Sequence, residues 1–271
     1  MALVTRAHGA GAPVVLLHGS AMSSRQWRPL MARLAAKAHR RAVAPDLLGY
    51  GDNPRWPDDA PFDLALDVAA VTEVVLAESA LAGDAPVDLV GHSYGGLLAL
   101  RVALERPDLV RTLALYDPVA FGVLFEAAAA ADARAEVADL VARSALSDPA
   151  LQGSELWFRA FMTYWGGEQA WDMLPAEARA EALRVGRKVA REVQSVLGDR
   201  APAAAYSGVR APTLLLTGER TPLAAREVGR LLHGALPRAE RVVIPGAGHA
   251  GPLTHAVSVN ELILAHVTRA E

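Results

Sequence analysis

The chain has 271 residues, of which 52% are hydrophobic and 21% charged, and its formal net charge is −3. This length fits one large α/β domain, or one domain with an insertion, and the apolar content suffices for a substantial core. Charges of both signs are interspersed, which excludes a basic surface for nucleic acid or anionic lipid. The absence of cysteine excludes disulfides, thiolate catalysis and cysteine-based metal sites.

Residues 1–11 lack the apolar segment of a secretory signal, and no apolar run reaches the ~18 residues of a membrane helix. We therefore expect a soluble, cytoplasmic protein with a small-molecule substrate and with neither a nucleic-acid nor a membrane partner. The eight histidines form no metal-ligand cluster. We expect no metal and no cofactor, and the oligomeric state stays open.

The first half of the chain alternates short apolar runs with amphipathic segments. Residues 3–5 predict a short edge strand. Residues 14–17 are continuously apolar, as in a strand covered on both faces, and lead into His18-Gly19-Ser20. Residues 42–44 predict another strand, which ends near Asp46, a turn carboxylate expected to accept hydrogen bonds from backbone amides. Further on, Asp63 is placed to cap an amphipathic helix.

The stretch from residue 87 to residue 100 predicts a strand that turns directly into a helix. A β-branched apolar run ends at Gly91, a Leu/Ala-rich run follows, and Ser93 stands at the corner. Only small residues fit beside so tight a turn, which accounts for Gly95 and Gly96 as well. The turn projects the serine hydroxyl outward, and the N–H groups of the next helix favour negative charge beside it. These features predict that Ser93 is a nucleophile.

The alternation of strands and helices is interrupted once. A strand over 110–116 ends at Asp117; residues 119–209 then show helical patterns without a strand, and strands resume at 212–218 and 241–244, before His249. This order predicts an α/β fold with a mostly parallel central sheet, helices on both faces and a helical cap inserted between two strands. Residues 1–118 and 210–271 would form the core and residues 119–209 the cap. Ser93, Asp117 and His249 would meet at the carboxyl edge of the sheet.

These motifs resemble the α/β-hydrolase family, in its capped serine esterase-like branch, over nearly the whole chain. The resemblance rests on five segments, namely residues 18–20, 46–51, 91–96, 212–218 and 246–249. It implies that Ser93 is the nucleophile and His249 the general base, in an acyl-enzyme mechanism. A histidine with the ordinary pKa of about 6.5 would lose activity on acidification through about pH 6–7. The resemblance also implies an oxyanion hole of backbone N–H groups from Tyr94 and Ser20, with Ala21 as the alternative.

The third member of the triad departs from the family pattern. Most members carry an aspartate three residues after the glycine that corresponds to Gly218, and Thr221 stands there instead. Threonine cannot carry the negative charge that stabilises an imidazolium. Three alternatives stay open: Asp117, on the strand where some members place the acid; Glu219; or a Ser–His dyad. We place Asp117 first.

The predicted cap is rich in aromatic residues, which either form its own core or line an apolar pocket above the nucleophile. We expect both roles, with Trp157, Phe161 and Trp165 in the pocket together with Ala21. The resulting hypothesis is a serine hydrolase that cleaves carboxylic esters of a small, fairly apolar substrate. A C–C bond hydrolase, a lactonase or an acyltransferase on the same site, and a ligand-binding protein without turnover, remain alternatives.

Overall fold

The computed structural model describes residues 2–127, 130–142 and 144–269. Within these residues seven strands form one sheet in the order β1-β3-β2-β4-β5-β6-β7. β1 runs antiparallel to β3, and the other neighbours are parallel. The strands are β1 (Thr5–His8), β2 (Pro13–Leu17), β3 (Arg41–Pro45), β4 (Val87–His92), β5 (Val110–Tyr116), β6 (Thr213–Gly218) and β7 (Ala239–Ile244).

Helices cover both faces of this sheet, so that successive residues of a central strand enter different hydrophobic clusters. Val15 and Leu17 belong to the larger cluster, with α2, α3 and α8, whereas Val14 and Leu16 belong to the other, with α1 and α10. This explains why β2 is continuously apolar. The helices of the two faces are α1 (Arg28–Ala38), α2 (Leu64–Leu81), α3 (Tyr94–Glu105), α8 (Leu223–Ala235) and α10 (Ala256–Arg269), with the short α9 (Gly251–Thr254) before the last.

The segment between β5 and β6 is helical. It contains α4 (Ala131–Ala142), α5 (Ser144–Ser147), α6 (Glu155–Gly166) and α7 (Ala176–Gly198). Most of its buried apolar side chains, Trp157 and Val189 among them, belong to the larger hydrophobic cluster of the sheet. The predicted α/β class with a helical insertion is confirmed. The exact domain boundaries stay a prediction, and residues 1, 128, 129, 143, 270 and 271 of the predicted ranges lie outside the described residues.

The predicted edge strand is displaced toward the C-terminus. We placed it at residues 3–5, but β1 begins at Thr5, which pairs with Pro45. Leu3 is instead 9% exposed and belongs to the larger cluster. Pairing of an edge strand depends on backbone hydrogen bonds with its neighbour, so apolar residues are a poor guide to its position.

Two expected contacts between side chains and the backbone are confirmed. The carboxylate of Asp46 accepts hydrogen bonds from the N–H groups of Ser24 at 2.7 Å and Asp52 at 3.0 Å. Asp63 caps α2 by accepting from the N–H of Ala65 at 2.7 Å. The first contact fixes the loop after β3, and the second satisfies a free donor of the first helical turn.

The junction of β4 and α3 has a strained backbone and very close packing. Ser93 has φ 55° and ψ −119°, a combination that residues other than glycine rarely adopt. A Cβ atom on Gly95 would lie 2.5 Å from the carbonyl oxygens of both Leu17 and His18. The end of β2 and the start of α3 can therefore be neighbours only if residue 95 is glycine.

None of the described helices is both long and apolar enough to span a membrane.

We predict that Gly95→Ala lowers the free energy of unfolding by about 1–3 kcal/mol, because its methyl group overpacks a site closed by backbone atoms. Gly234→Ala is the matched control. Gly234 lies within α8, and nothing described comes within 4 Å of a Cβ placed there. Alanine should stabilise that helix by up to about 1 kcal/mol. Urea unfolding of both variants measures the difference; equal stabilities would contradict the packing argument.

Candidate active site

Ser93, His249 and Asp117 meet at the carboxyl edge of the sheet. Ser93 follows β4, Asp117 follows β5, and His249 lies in the loop after β7. The Oγ atom of Ser93 is 2.9 Å from Nε2 of His249. Nδ1 of the same imidazole is 3.4 Å from Oδ2 of Asp117, a long hydrogen bond of the kind that tightens when an active site is occupied. All three side chains are buried, and His249 lies between Ser93 and Asp117.

Thr221 contacts the acid of this series. Its Oγ1 donates a hydrogen bond of 2.7 Å to Oδ2 of Asp117, the oxygen that also faces His249. Burial raises the pKa of the Asp117 carboxyl, whereas the Thr221 hydrogen bond and the charge of Arg241 lower it. From the sequence Thr221 was only the place of a missing aspartate. The structure gives it a partner that no local spacing indicates.

Glu219 is engaged elsewhere. Its side chain is exposed, and its Oε2 accepts a hydrogen bond of 2.8 Å from the N–H of Gly246. This contact fixes the turn before His249 without reaching the imidazole. Of the two carboxylates considered from the sequence, Asp117 is the one beside His249.

The imidazole of His249 is covered by the indole of Trp165. The two ring centroids are 3.7 Å apart and the planes differ by 21°. Burial lowers the pKa of His249 to about 3, because the charged imidazolium is disfavoured away from water. The ring is therefore neutral at neutral pH, with Nε2 able to accept the Ser93 proton while Nδ1–H faces Asp117. We expected an ordinary histidine pKa because the sequence does not indicate that Trp165 stacks on His249.

Two further polar side chains, His92 and Gln26, connect His249 to the loop after β2. His92 contacts the carbonyl oxygen of His249 through Nε2 at 2.8 Å, and its Nδ1 is 3.2 Å from Nε2 of Gln26. The Oε1 atom of Gln26 accepts from the N–H of Gly19 at 3.1 Å. The pattern makes Nε2 of His92 the protonated nitrogen. Gln26, which joins His92 to the Gly19 loop, was not identified from the sequence.

The two residues that were expected to supply the oxyanion-hole donors lie beside the nucleophile. Ser20 and Tyr94 line the cavity that contains Ser93. Tyr94 is the first residue of α3, so its N–H has no acceptor within the helix. Among the described residues, neither this N–H nor that of Ser20 donates to another group. Ala21, the alternative donor and a predicted pocket residue, does not line this cavity and packs against the larger hydrophobic cluster instead.

The cavity at Ser93 has a volume of about 30 Å³, enough for one or two water molecules. Of the predicted pocket residues, Phe161 and Trp165 line it. Trp157 does not, because it is turned into the aromatic core of the insertion, where its ring stacks on Phe161 with centroids 5.1 Å apart. Helical spacing alone does not predict which face of α6 is directed toward Ser93.

A second cavity of about 250 Å³ lies within the helical insertion, and Trp157 is part of its wall. Four apolar residues border both cavities: Leu140, Phe161, Val193 and Leu197. The cavity at Ser93 also has one carboxylate in its wall, Glu192, which the sequence analysis did not single out. In the described part of the chain, no lysine or arginine lines that cavity, and no group of three or more His, Asp or Glu residues is arranged to hold a metal ion.

A model of the alpha/beta hydrolase family matches residues 14–262. The chain belongs to this family.

Its relatives include a pimeloyl-[acyl-carrier protein] methyl ester esterase of Chromobacterium violaceum, 32% identical over 256 residues that cover 94% of each chain. A 2-hydroxy-6-oxo-2,4-heptadienoate hydrolase of Pseudomonas putida is 41% identical over 121 residues, which are 44% of this chain and 41% of that protein. The match thus spans about two fifths of that relative's length. The crystal structure of an enol-lactonase from Burkholderia xenovorans superimposes with a TM-score of 0.72 over 98% of this chain and 96% of the other. At 17% identity, this last likeness concerns the fold alone.

We predict that Trp165→Ala moves the acid limb of kcat/KM to higher pH. Removal of the indole lets water reach His249, so its pKa rises from about 3 toward the ordinary value of about 6.5. The hydrolase activity of the wild-type protein should persist down to about pH 5, whereas the variant should lose activity below about pH 6.5.

Phe161→Ala is the matched control, since Phe161 lines the same cavity but Trp165 is the cap ring stacked on His249. Its acid limb should stay with that of the wild type. Circular dichroism at each pH ensures that only folded protein is compared. An unchanged acid limb in Trp165→Ala would show that the indole does not shield the base.

Proposed function

We propose that this protein is a serine hydrolase that cleaves carboxylic esters of small, fairly apolar acyl compounds through an acyl-enzyme. The observation that carries the proposal is the distance of 2.9 Å between Oγ of Ser93 and Nε2 of a neutral, buried His249, in a cavity with largely apolar walls. A hydroxyl so close to an unprotonated imidazole is the arrangement that general-base activation requires.

The reaction follows from these positions. Oγ of Ser93 attacks the acyl carbon while Nε2 of His249 takes the hydroxyl proton, and the carbonyl oxygen becomes negative. The N–H groups of Ser20 and Tyr94 would stabilise that oxygen. Asp117 would stabilise the imidazolium through Nδ1. The tetrahedral intermediate expels the alcohol, which receives the proton from Nε2; water then attacks the acyl-enzyme with His249 again as base, and the carboxylic acid leaves.

Asp117 is the favoured third member because it faces Nδ1 of His249, while Thr221 donates to the same carboxylate oxygen. In this arrangement the threonine hydroxyl does not replace the missing aspartate. It holds the carboxylate oxygen in place and lowers the pKa of the group, which helps keep Asp117 ionised when the imidazolium forms.

An ester is favoured over the alternatives by the walls of the cavity. The substrate named for the Pseudomonas putida relative is an oxo acid that carries a carboxylate. Among the residues described here, the cavity at Ser93 has Glu192 in its wall and no positively charged side chain. The counter-charge of Glu192, Lys188, does not line this cavity. A substrate carboxylate buried there would therefore find no cation in the wall, which is unfavourable. An uncharged acyl group fits better, as in the methyl ester named for the esterase relative.

We predict that a fluorophosphonate probe labels the wild-type protein at Ser93 and that Ser93→Ala abolishes both labelling and ester hydrolysis. Loss of a nucleophile that acts together with its base lowers turnover by a factor of about 10⁶. Asp117→Asn should lower kcat by about 10⁴, because it favours the wrong imidazole tautomer. Glu219→Gln is the control for the acid and should change kcat less than about tenfold, since Glu219 contacts the Gly246 N–H. Mass spectrometry of the labelled peptide and p-nitrophenyl ester kinetics provide the measurements.

Folded wild-type protein that is not labelled would indicate a ligand-binding protein on this scaffold. Hydrolysis by Ser93→Ala within tenfold of the wild type would exclude the serine mechanism. Full activity in Asp117→Asn together with collapse in Glu219→Gln would assign the acid to Glu219, and full activity in both would leave a Ser–His dyad.

The acyl chain requires more room than the cavity at Ser93 provides. At about 30 Å³ this cavity admits only the reacting group, whereas the neighbouring cavity is about 250 Å³ and also largely apolar. Phe161, Leu140, Val193 and Leu197 separate the two. We infer that the tail of the acyl group extends past this partition into the insertion, where it is removed from water.

We predict that Phe161→Ala, which opens the partition, shifts the preference among p-nitrophenyl esters toward longer acyl chains by about tenfold or more, since one methylene in an apolar pocket is worth about 1–3 kcal/mol. Ala190→Leu is the opposing control. Ala190 borders only the larger cavity, so leucine should reduce hydrolysis of long esters and leave acetate unaffected. If both variants change all esters equally, the tail does not enter the insertion.

A further inference from the structure

Two oppositely charged residues of the insertion, Lys188 and Glu192, are buried at the junction with the sheet domain. They lie one turn apart on α7 and form an ion pair. Lys188 is 3% exposed and Glu192 is not exposed at all. Nζ of Lys188 also contacts Oδ2 of Asp67, on α2, at 2.7 Å. Asp67 is likewise fully buried, so three charged groups share one water-excluded site.

Aromatic rings complete the surroundings of the ammonium group. Nζ of Lys188 lies 4.4 Å from the ring centroid of Phe62, 4.6 Å from that of Tyr50 and 5.2 Å from that of Tyr94. These distances are typical of cation–π contacts. The ammonium is held by two carboxylates and three rings, which compensates for its loss of hydration.

The same cluster holds the side chains of both residues that supply the oxyanion donors. The hydroxyl of Ser20 donates to Oε2 of Glu192 at 2.7 Å, and Tyr50 donates to the same oxygen at 2.7 Å. The hydroxyl of Tyr94 donates to Oδ2 of Asp67 at 3.0 Å, the oxygen that also contacts Lys188. The loop after β2 and the start of α3 are thereby attached to one helix of the insertion.

We propose that Lys188 and Glu192 are positioning residues that set the oxyanion hole through the side chains of Ser20 and Tyr94. The inference rests on the proposed function, because it concerns the same backbone donors. Donors that stabilise a developing charge act best when they are fixed before the reaction, and small displacements of catalytic groups cost large factors in rate. The insertion thus contributes to the chemical step as well as forming part of the pocket.

The test removes hydroxyl groups while it keeps every backbone donor. Ser20→Ala and Tyr94→Phe break the two attachments and leave both N–H groups in the chain. Each should lower kcat about tenfold, the scale of one hydrogen bond, with KM within about twofold. Affinity for a phenylboronic acid, which forms a tetrahedral adduct on the serine, should fall in parallel, since its oxygen occupies the oxyanion hole. Tyr164→Phe is the matched control: it removes a tyrosine hydroxyl bound to Glu136 within the insertion and should leave kcat and boronate affinity unchanged.

Glu192→Gln tests whether the hydroxyl of Ser20 acts through its contact with the insertion. If it does, the double variant Ser20→Ala/Glu192→Gln should be no slower than the slower single variant, whereas independent effects would multiply. Lys188 is not substituted, because its removal would leave two buried carboxylates without a counter-charge and destabilise the fold. Thermal unfolding of each variant separates loss of folding from loss of rate.

The outcomes distinguish this inference from the proposed function. If fluorophosphonate does not label wild-type Ser93, the proposed function fails and the inference fails with it. If labelling occurs, but Ser20→Ala and Tyr94→Phe keep wild-type kcat and boronate affinity, the positioning role alone is overturned. A change in KM without a change in kcat for Glu192→Gln would also overturn it, and would make Glu192 a substrate-binding residue.

Discussion

The close approach of backbones around Ser93 is the constraint on which the site depends. Gly95 lies directly against the carbonyl groups that end β2, so the loop after β2 and the first turn of α3 are neighbours. Ser20 and Tyr94 consequently line the same cavity. The loops after β5 and β7 bring Asp117 and His249 to the other side of the serine. A parallel sheet gathers these strand ends along one edge, and the glycines let them come within contact distance.

Electrostatics inside the site follow from the exclusion of water. Trp165 covers His249, and the pKa of the imidazole falls accordingly. The same exclusion strengthens every dipole aimed at a charge that forms during reaction. Without water, an unpaired charge or polar group is costly, so the polar groups of the site are paired with one another. Thr221 donates to Asp117, Gln26 contacts His92, and Lys188 forms ion pairs with two carboxylates. In these three examples, the groups that are buried from water are therefore also the groups that are hydrogen-bonded or ion-paired.

The sequence allowed the sheet, the insertion and three side chains of the site to be predicted, because each depends on local patterns. Apolar runs locate the central strands, and the strand ends locate Ser93, Asp117 and His249. The rest depends on contacts across long stretches of chain. Lys188 and Glu192 stand at i and i+4 in a helix rich in arginine and glutamate, a pattern that usually marks an exposed surface pair. Trp157 and Trp165 lie on one helix with equal aromatic character, and only its packing decides which of them meets His249.

The buried position of Asp67 has a consequence for how such insertions can be exchanged between proteins. Its carboxylate lies in the sheet domain, but its counter-charge, Lys188, comes from α7. Grafting an insertion that lacks a matching cation would leave the Asp67 carboxylate buried without its counter-charge, at a cost of about 3–5 kcal/mol. The insertion is in this respect not a detachable module. Recombination between family members would have to carry residues 67, 188 and 192 together, so that the charge pattern is inherited as a unit although Asp67 and Lys188 are 121 positions apart in the chain.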